Sequence, residues 1–69
     1  MTNEEAKDAF LRDLPVLHHD PYRHIDQEYE CISAIIYRKK NGYLRVSAEL
    51  LDRNKNSVTI AKVSDLKKV

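Results

Sequence analysis

Three histidines and an aspartate lie close together in the chain, and these residue types bind transition metals. His18, His19, Asp20 and His24 fall within seven residues, and Cys31 follows further along. Zinc prefers four such ligands in a tetrahedral arrangement. Neighbouring side chains of an extended chain point in opposite directions, so at most one of His18 and His19 can join His24 without a special loop. The spacing favours a polar loop that contains histidines, and we predict no bound metal and no other cofactor.

Cys31 is the other residue with reactive chemistry, because a cysteine beside a histidine base can act as a nucleophile. Such a site also needs a group that orients the base and donors that form an oxyanion hole. The sequence has no glycine-rich loop to supply those donors, and it has no pair of carboxylates at a working spacing. We therefore predict a protein that is not an enzyme, with Cys31 as a small apolar side chain in a strand.

A third group of residues combines aromatic and basic side chains on both sides of Asn41-Gly42. Tyrosine and arginine are common in protein interfaces because they add contact area and directional hydrogen bonds. The same types suit nucleic acids, since rings stack on bases and cations neutralise phosphates. A protein partner and a nucleic acid are therefore the two alternatives. The candidate partner-binding residues are Tyr37, Arg38, Lys39, Lys40, Tyr43 and Arg45.

The composition limits the class of protein. The chain has 69 residues, of which 42% are hydrophobic and 33% charged, and one cysteine. This length suits one small domain, and the apolar content is too high for a disordered tail. A single cysteine excludes an internal disulfide bond. There is no apolar run long enough to span a bilayer, and the acidic beginning of the chain is unlike a signal peptide. We predict one cytoplasmic domain over residues 1–69 that does not act at a membrane.

Charge is divided unevenly along the chain. Residues 1–30 contain eight acidic and three basic side chains, whereas residues 31–69 contain three acidic and nine basic ones. The two halves can attract each other within the domain, or the basic half can form a surface for a polar partner. The formal net charge is only +1. Dedicated nucleic-acid binders usually carry a larger basic excess, so we favour the protein partner.

The pattern of apolar and capping residues predicts a helix followed by a sheet. Thr2 or Asn3 can cap a helix over residues 1–14, acidic residues occupy its first turn, and Pro15 ends it. Its apolar stripe is narrow, so it must pack on another element. Alternating apolar residues then predict antiparallel strands. We assign a short edge strand to 15–17, a loop to 18–27, strands to 30–39, 43–52 and 57–63, a 3₁₀ turn to 64–66 and a last strand to 67–69.

The strand register can be argued from the residues that would be buried together. A three-residue loop at Lys40-Asn41-Gly42 places Arg38 opposite Leu44, and the same geometry at Asn54-Lys55-Asn56 places Leu50 opposite Ile60. One face of the sheet then forms the core. Its predicted members are Ile32, Ala34, Ile36, Leu44, Val46, Ala48, Leu50, Val58 and Ile60.

In this register the other face carries the candidate site, with Tyr37 beside Arg45 and Lys39 beside Tyr43. Ile35 lies on the same face. Three alternatives are open for it: the N-terminal helix covers it through Phe10, a second copy of the chain covers it in a homodimer, or it is free to bind a partner.

Two resemblances add to this interpretation. The predicted element order over residues 15–69 resembles the SH3-like small barrels, which implies four to five strands in one strongly bent antiparallel sheet. With the N-terminal helix over residues 1–14, the predicted fold class is α+β. The stretches 32–38, 46–54 and 56–61, which read ISAIIYR, VSAELLDRN and NSVTIA, resemble short uncharacterised proteins of phages and integrative elements of Gram-positive bacteria. That resemblance implies a mobile-element accessory protein that acts by binding and modulates a host protein.

Overall fold

One helix and six strands form the fold of the computed structural model, which describes residues 1–54 and 56–69. The strands form two antiparallel three-stranded sheets, in the orders β2-β1-β6 and β3-β4-β5. The α+β class is confirmed, but six strands replace the predicted four or five. Among the described residues no strand pairing joins the two sheets into a closed barrel. The elements are α1 (Asn3–Leu11), β1 (Val16–Asp20), β2 (Ile25–Tyr29), β3 (Cys31–Lys40), β4 (Tyr43–Leu51), β5 (Val58–Lys62), a 3₁₀ turn (Val63–Asp65) and β6 (Leu66–Lys68).

Helix α1 begins as predicted and ends three residues early. The Thr2 hydroxyl accepts a hydrogen bond from the Glu5 N–H, and the Glu5 carboxylate accepts one from the Thr2 N–H, at 3.1 and 2.9 Å. This reciprocal capping box fixes the first turn. The helix ends at Leu11 because Asp13 adopts a positive φ of 52° and the Leu14 N–H bonds back into the last turn, as in a Schellman motif.

The polar segment 18–27, predicted as a loop, is most of a β-hairpin. Strands β1 and β2 pair from Val16 opposite Tyr29 to Asp20 opposite Ile25. The Asp20 carboxylate holds the turn by accepting hydrogen bonds from the N–H groups of Tyr22 and Arg23, at 2.9 and 3.2 Å. The prediction failed because most side chains on both faces of this hairpin are polar. The segment therefore lacks the alternation of apolar and polar residues that marks a strand.

The connection between β3 and β4 is a two-residue turn, so the predicted three-residue loop is wrong. Lys40 and Tyr43 are cross-strand partners, and Asn41 and Gly42 between them have φ values of 51° and 81°. Two successive positive φ angles are the signature of the type I′ turn, whose twist matches that of the strands. Arg38 consequently lies opposite Arg45 and not opposite Leu44.

A β-bulge at Ser33 shifts the register of β3 by one residue, so that both Ile32 and Ile35 point into the core. Near the base of the hairpin Ile32 is opposite Leu50, as predicted, whereas beyond the bulge Ile35 is opposite Ala48. One extra residue in β3 therefore moves Ile35 onto the same face as Ile32. Without the bulge, only one of these isoleucines could point into the core.

Strand β5 is also displaced by one residue from its predicted register. Leu50 pairs with Thr59 and Ala48 pairs with Ala61, whereas Ile60 was predicted opposite Leu50. The predicted loop Asn54-Lys55-Asn56 includes Lys55 and lies outside the described residues. The end of the chain is close to its prediction, because the 3₁₀ turn and β6 both occur one residue early. The N-cap of the 3₁₀ turn is Lys62, whose side chain makes no capping hydrogen bond.

The core lies between α1 and the two sheets. Phe10 and Ile35 pack against it, so the helix covers this part of β3, while Tyr37 is 58% exposed. Of the predicted core residues, Ile32, Ala48 and Leu50 are buried and Val46 is half-buried. Leu44, Val58 and Ile60 are exposed, and Ala34 and Ile36 lie on the opposite face. The observed core is Ala6, Ala9, Val16, Tyr29, Ile32, Ala48, Leu50, Ala61, Val63 and Leu66.

Candidate binding surface

The β3-β4-β5 sheet has one face toward the core and one toward solvent, which we call the outer face. Cross-strand partners point to the same side of a sheet, so the register defines the residues of each face. We call each set of cross-strand partners on this face a row. From the β3–β4 turn to the far end of the sheet, the rows are Lys40–Tyr43, Arg38–Arg45, Ile36–Ser47–Lys62, Ala34–Glu49–Ile60 and Cys31–Leu51–Val58.

The register divides the predicted site into two parts. Arg38, Lys40, Tyr43 and Arg45 share the outer face, whereas Tyr37 and Lys39 point to the opposite side. The predicted neighbours Tyr37–Arg45 and Lys39–Tyr43 are therefore wrong, since their partners are Val46 and Leu44. A shift of one residue in register moves a side chain to the other face, which is why one turn assignment changed both pairs.

Apolar residues occupy the part of the outer face next to these cations. Val58 and Ile60 are 53% and 52% exposed, and Tyr43 at the turn is 74% exposed. Ile36 and Leu51 are half-buried. The sequence analysis placed Val58 and Ile60 in the core and not on this face. Strand β5 has apolar residues on both faces, so the periodicity could not decide which set is buried.

The cations of the outer face are not neutralised by ion pairs within the described part of the chain. Arg38, Lys40, Arg45 and Lys62 have no ion-pair partner among the described residues. The acidic side chain of this face, Glu49, accepts a hydrogen bond from Ser33 at 3.0 Å. Elsewhere five bases are paired with acids, in the contacts Arg12–Asp8, Arg23–Asp20, Arg53–Glu28, Lys67–Asp26 and Lys68–Glu5. Lys7 on α1 and Lys39 on the opposite face of the sheet also have no ion-pair partner among the described residues.

A pocket of about 380 Å³ lies where β5 ends beside β4, and we call it the β5-end bay. Strand β5 stops at Lys62, opposite Ser47, while β4 continues with only β3 beside it. None of the described residues that line the bay is acidic. The hydroxyls of Ser47 and Ser64 have no hydrogen-bond partner among the described residues. The residues that line the bay are Arg45, Val46, Ser47, Lys62 and Ser64.

A second shallow groove of about 380 Å³ separates α1 from the far half of β3. Phe10 and Leu11 line one side, and Ile35 and Tyr37 line the other, with Lys7 at its border. Tyr37, a predicted site residue, therefore belongs to this groove and not to the outer face. The basic residues of the outer face do not line it.

The histidines lie in the β1–β2 hairpin and are engaged in local contacts. His19 Nδ1 is 2.8 Å from Asp26 Oδ1, and Lys67 Nζ is 3.6 Å from Asp26 Oδ2. The hydrogen bond to His19, and then the charge of Lys67, hold the pKa of Asp26 below its usual value. The His18 ring lies 6.4 Å from the ring of Tyr29. Within residues 1–54 and 56–69, no three His, Cys, Asp or Glu side chains converge as a metal site would require.

Comparison with known proteins gives no relative from which to transfer a function. No protein-family model matches the chain, no curated protein is significantly similar to it, and no solved structure matches its fold. In the part of the chain that the structure describes, no helix has the length and apolar character needed to cross a bilayer. The function must therefore be inferred from the chemistry of the outer face.

Proposed function

We propose that this chain is a non-enzymatic binding module whose outer face binds an acidic surface of another protein. The observation that carries the proposal is the combination of exposed apolar residues and unneutralised cations on one sheet face. Protein interfaces commonly have an apolar centre and a polar rim. Here Val58 and Ile60 would form the centre, and the basic residues around Arg45 would form the rim.

The charge of the rim indicates the chemistry of the partner. Arg38, Lys40 and Arg45 lie in two adjacent rows, and Lys62 lies in the next row on β5. Their charges repel one another, and carboxylates from a partner would supply the counter-charge that the described residues lack. Tyr43 stands beside Lys40 and adds an exposed ring of the kind that is enriched in interface hot spots.

Nucleic-acid binding is the second candidate, and the basic end of the hairpin favours it. A two-stranded ribbon can enter the major groove of DNA, and three cations on one face of a ribbon can contact phosphates. The apolar residues of β5 favour the protein partner, since a phosphate backbone offers them little to contact. Binding to duplex and single-stranded DNA and RNA at two salt concentrations separates the candidates, because phosphate contacts weaken steeply with added salt.

A displayed library of random peptides tests the protein-binding proposal directly. We expect the immobilised protein to select acidic peptides that also carry apolar residues, and we expect these peptides to shift the amide NMR signals of outer-face residues. Arg45→Glu should abolish selection of these peptides. The matched control is Lys39→Glu, which makes the same charge change on the opposite face and should preserve it.

Two results would contradict the proposal. One is that no acidic peptide is selected. The other is that Arg45→Glu and Lys39→Glu weaken binding equally, which would indicate long-range attraction without a defined surface. Four other points stay predictions from the sequence: an origin on a mobile element, a host protein as the partner, a cytoplasmic location and the formation of a homodimer.

A further inference from the structure

The β5-end bay brings together four hydrogen-bond donors on or beside the outer face. Lys62 and Ser47 are cross-strand partners, Arg45 is the diagonal neighbour of Lys62, and Ser64 borders the bay from the 3₁₀ turn. Diagonal neighbours in a sheet are roughly 7–8 Å apart, so one anion placed between Arg45 and Lys62 can contact both long side chains.

The side chains of these four residues form no hydrogen bond or ion pair within the part of the chain that the structure describes. Arg45 and Lys62 form no ion pair, and Ser47 and Ser64 donate no hydrogen bond, among the described residues. Across residues 1–54 and 56–69, no acidic side chain lines the bay. Two neighbouring cations and two hydroxyls without acceptors form a site to which an anion would supply both the missing charge and the missing hydrogen bonds.

We propose that the bay binds a phosphate monoester carried by a side chain of the partner protein, which rests on the proposed protein-binding function. A phosphorylated side chain carries about two negative charges and three acceptor oxygens. This matches two cations and two hydroxyl donors. A carboxylate has one charge and two oxygens, and each phosphate of a nucleic-acid backbone also carries a single charge. The donor set therefore favours the monoester.

Strand β5, which lies next to the bay, can bind the peptide segment that carries the phosphate. Strand β5 is hydrogen-bonded to β4 on one side and is the last strand of its sheet, so its other edge can accept an extended peptide. Ile60 lies two residues before Lys62 on the same face, a distance of about 7 Å along a strand. A peptide that places its phosphate in the bay would therefore place an apolar side chain, two residues away, over Ile60.

The test is a titration of the whole chain with inorganic phosphate, followed by amide NMR signals. Chloride keeps the ionic strength constant, and a pH of about 8 keeps inorganic phosphate mostly doubly charged, since this pH lies above the second pKa of phosphate and of its monoesters. We expect saturable shifts confined to Arg45, Ser47, Lys62 and Ser64. Arg45→Gln and Lys62→Gln should each weaken binding about tenfold or more, because each removes a charged hydrogen bond.

Lys39→Gln is the matched control, because Lys39 points to the opposite side of the sheet from Arg45 and is not among the residues that line the bay. It should leave the affinity for phosphate within about twofold of the wild-type value, as expected for an exposed charge at a distance. Shifts that do not saturate would overturn the proposal. So would saturable shifts that Lys39→Gln reduces as strongly as Lys62→Gln does.

Three further ligands identify the source of the phosphate: a phosphoserine peptide with an apolar residue two positions away, its unphosphorylated form, and a single-stranded oligonucleotide. We expect the phosphopeptide to bind more tightly than inorganic phosphate and than the other two. Tighter binding of the oligonucleotide would overturn the assignment to a phosphopeptide in favour of nucleic acid. If acidic peptides without phosphate bind the outer face while phosphate does not bind the bay, the subsite is wrong and the protein-binding function stands.

Discussion

Arg38 and Arg45 lie directly opposite each other on the outer face, and neither forms an ion pair with any described residue. Like charges in direct cross-strand positions destabilise a sheet. The pair is therefore unfavourable for folding in the isolated chain. A ligand with negative charge would remove this repulsion, which is why the proposed function places this pair in the basic rim of the interface.

Replacing Arg45 with glutamate is expected to stabilise the fold while it abolishes binding. The substitution converts a like-charge pair into an opposite-charge pair, which is worth roughly 0.2–1 kcal/mol. Urea unfolding followed by circular dichroism measures this change. Lys39→Glu is the control, because Lys39 lies opposite Leu44 and no cross-strand charge repulsion is relieved. A destabilised Arg45→Glu variant would show that Arg45 contributes to folding and would weaken the functional interpretation.

Gly42→Val is expected to destabilise the protein by about 1–2 kcal/mol, which is the cost of a left-handed backbone for a residue with a side chain. Gly42 has a φ of 81°, and an added Cβ would meet no atom within 4 Å. The loss would therefore come from the backbone and not from a clash. Asn41→Gly should be tolerated, since glycine adopts the same angles. Unchanged unfolding of Gly42→Val would contradict the two-residue turn.

The register of β5 can be tested with the same substitution at two adjacent positions. Ile60 is 52% exposed on the outer face, whereas Ala61 is buried opposite Ala48. Ala61→Asp should unfold the domain because it places a charge in the core. Ile60→Asp should preserve folding, with a change of stability of about 1 kcal/mol or less, and should eliminate binding of the selected peptides. Thermal unfolding distinguishes the two variants, and the reverse order of stabilities would mean that the faces of β5 are exchanged.

Acid should destabilise the protein in a defined pH range. The hydrogen bond from the Thr2 N–H, together with Lys68, lowers the pKa of Glu5 from 4.5 to about 2. The unfolded chain therefore takes up this proton at a higher pH than the folded chain does. The resulting stabilisation is present above pH 4.5 and is lost as the pH falls toward 2. The pKa values of Asp20, Asp26 and Asp52 are also lowered and act in the same direction.

Glu5→Gln is the variant that tests this linkage. A glutamine can keep the capping box but has no proton to take up. Its urea midpoint should fall less than that of the wild-type protein between about pH 5 and pH 2. Glu4→Gln leaves the capping box and the Glu5–Lys68 contact in place, so it should retain the wild-type dependence on pH. Identical pH profiles for Glu5→Gln and the wild-type protein would contradict the lowered pKa.

Local chemistry by itself determined much of this fold. Thr2 and the acidic first turn specified where the helix begins, and the alternation of Leu44, Val46, Ala48 and Leu50 specified the core side of β4. The basic composition of the β3–β4 hairpin indicated a polar binding surface. These features depend on neighbours within a few residues, so the sequence carries them directly.

Tertiary structure decided which side chains share a face. The bulge at Ser33 and the register of β5 depend on how Ile32, Ile35 and Ala61 pack in the core to which α1 also contributes, and these contacts join distant parts of the chain. A shift of one residue moved Tyr37 away from Arg45 and exposed Ile60. Because the strand period is two, strand assignments that are correct along the chain can still put a binding residue on the wrong side of the sheet.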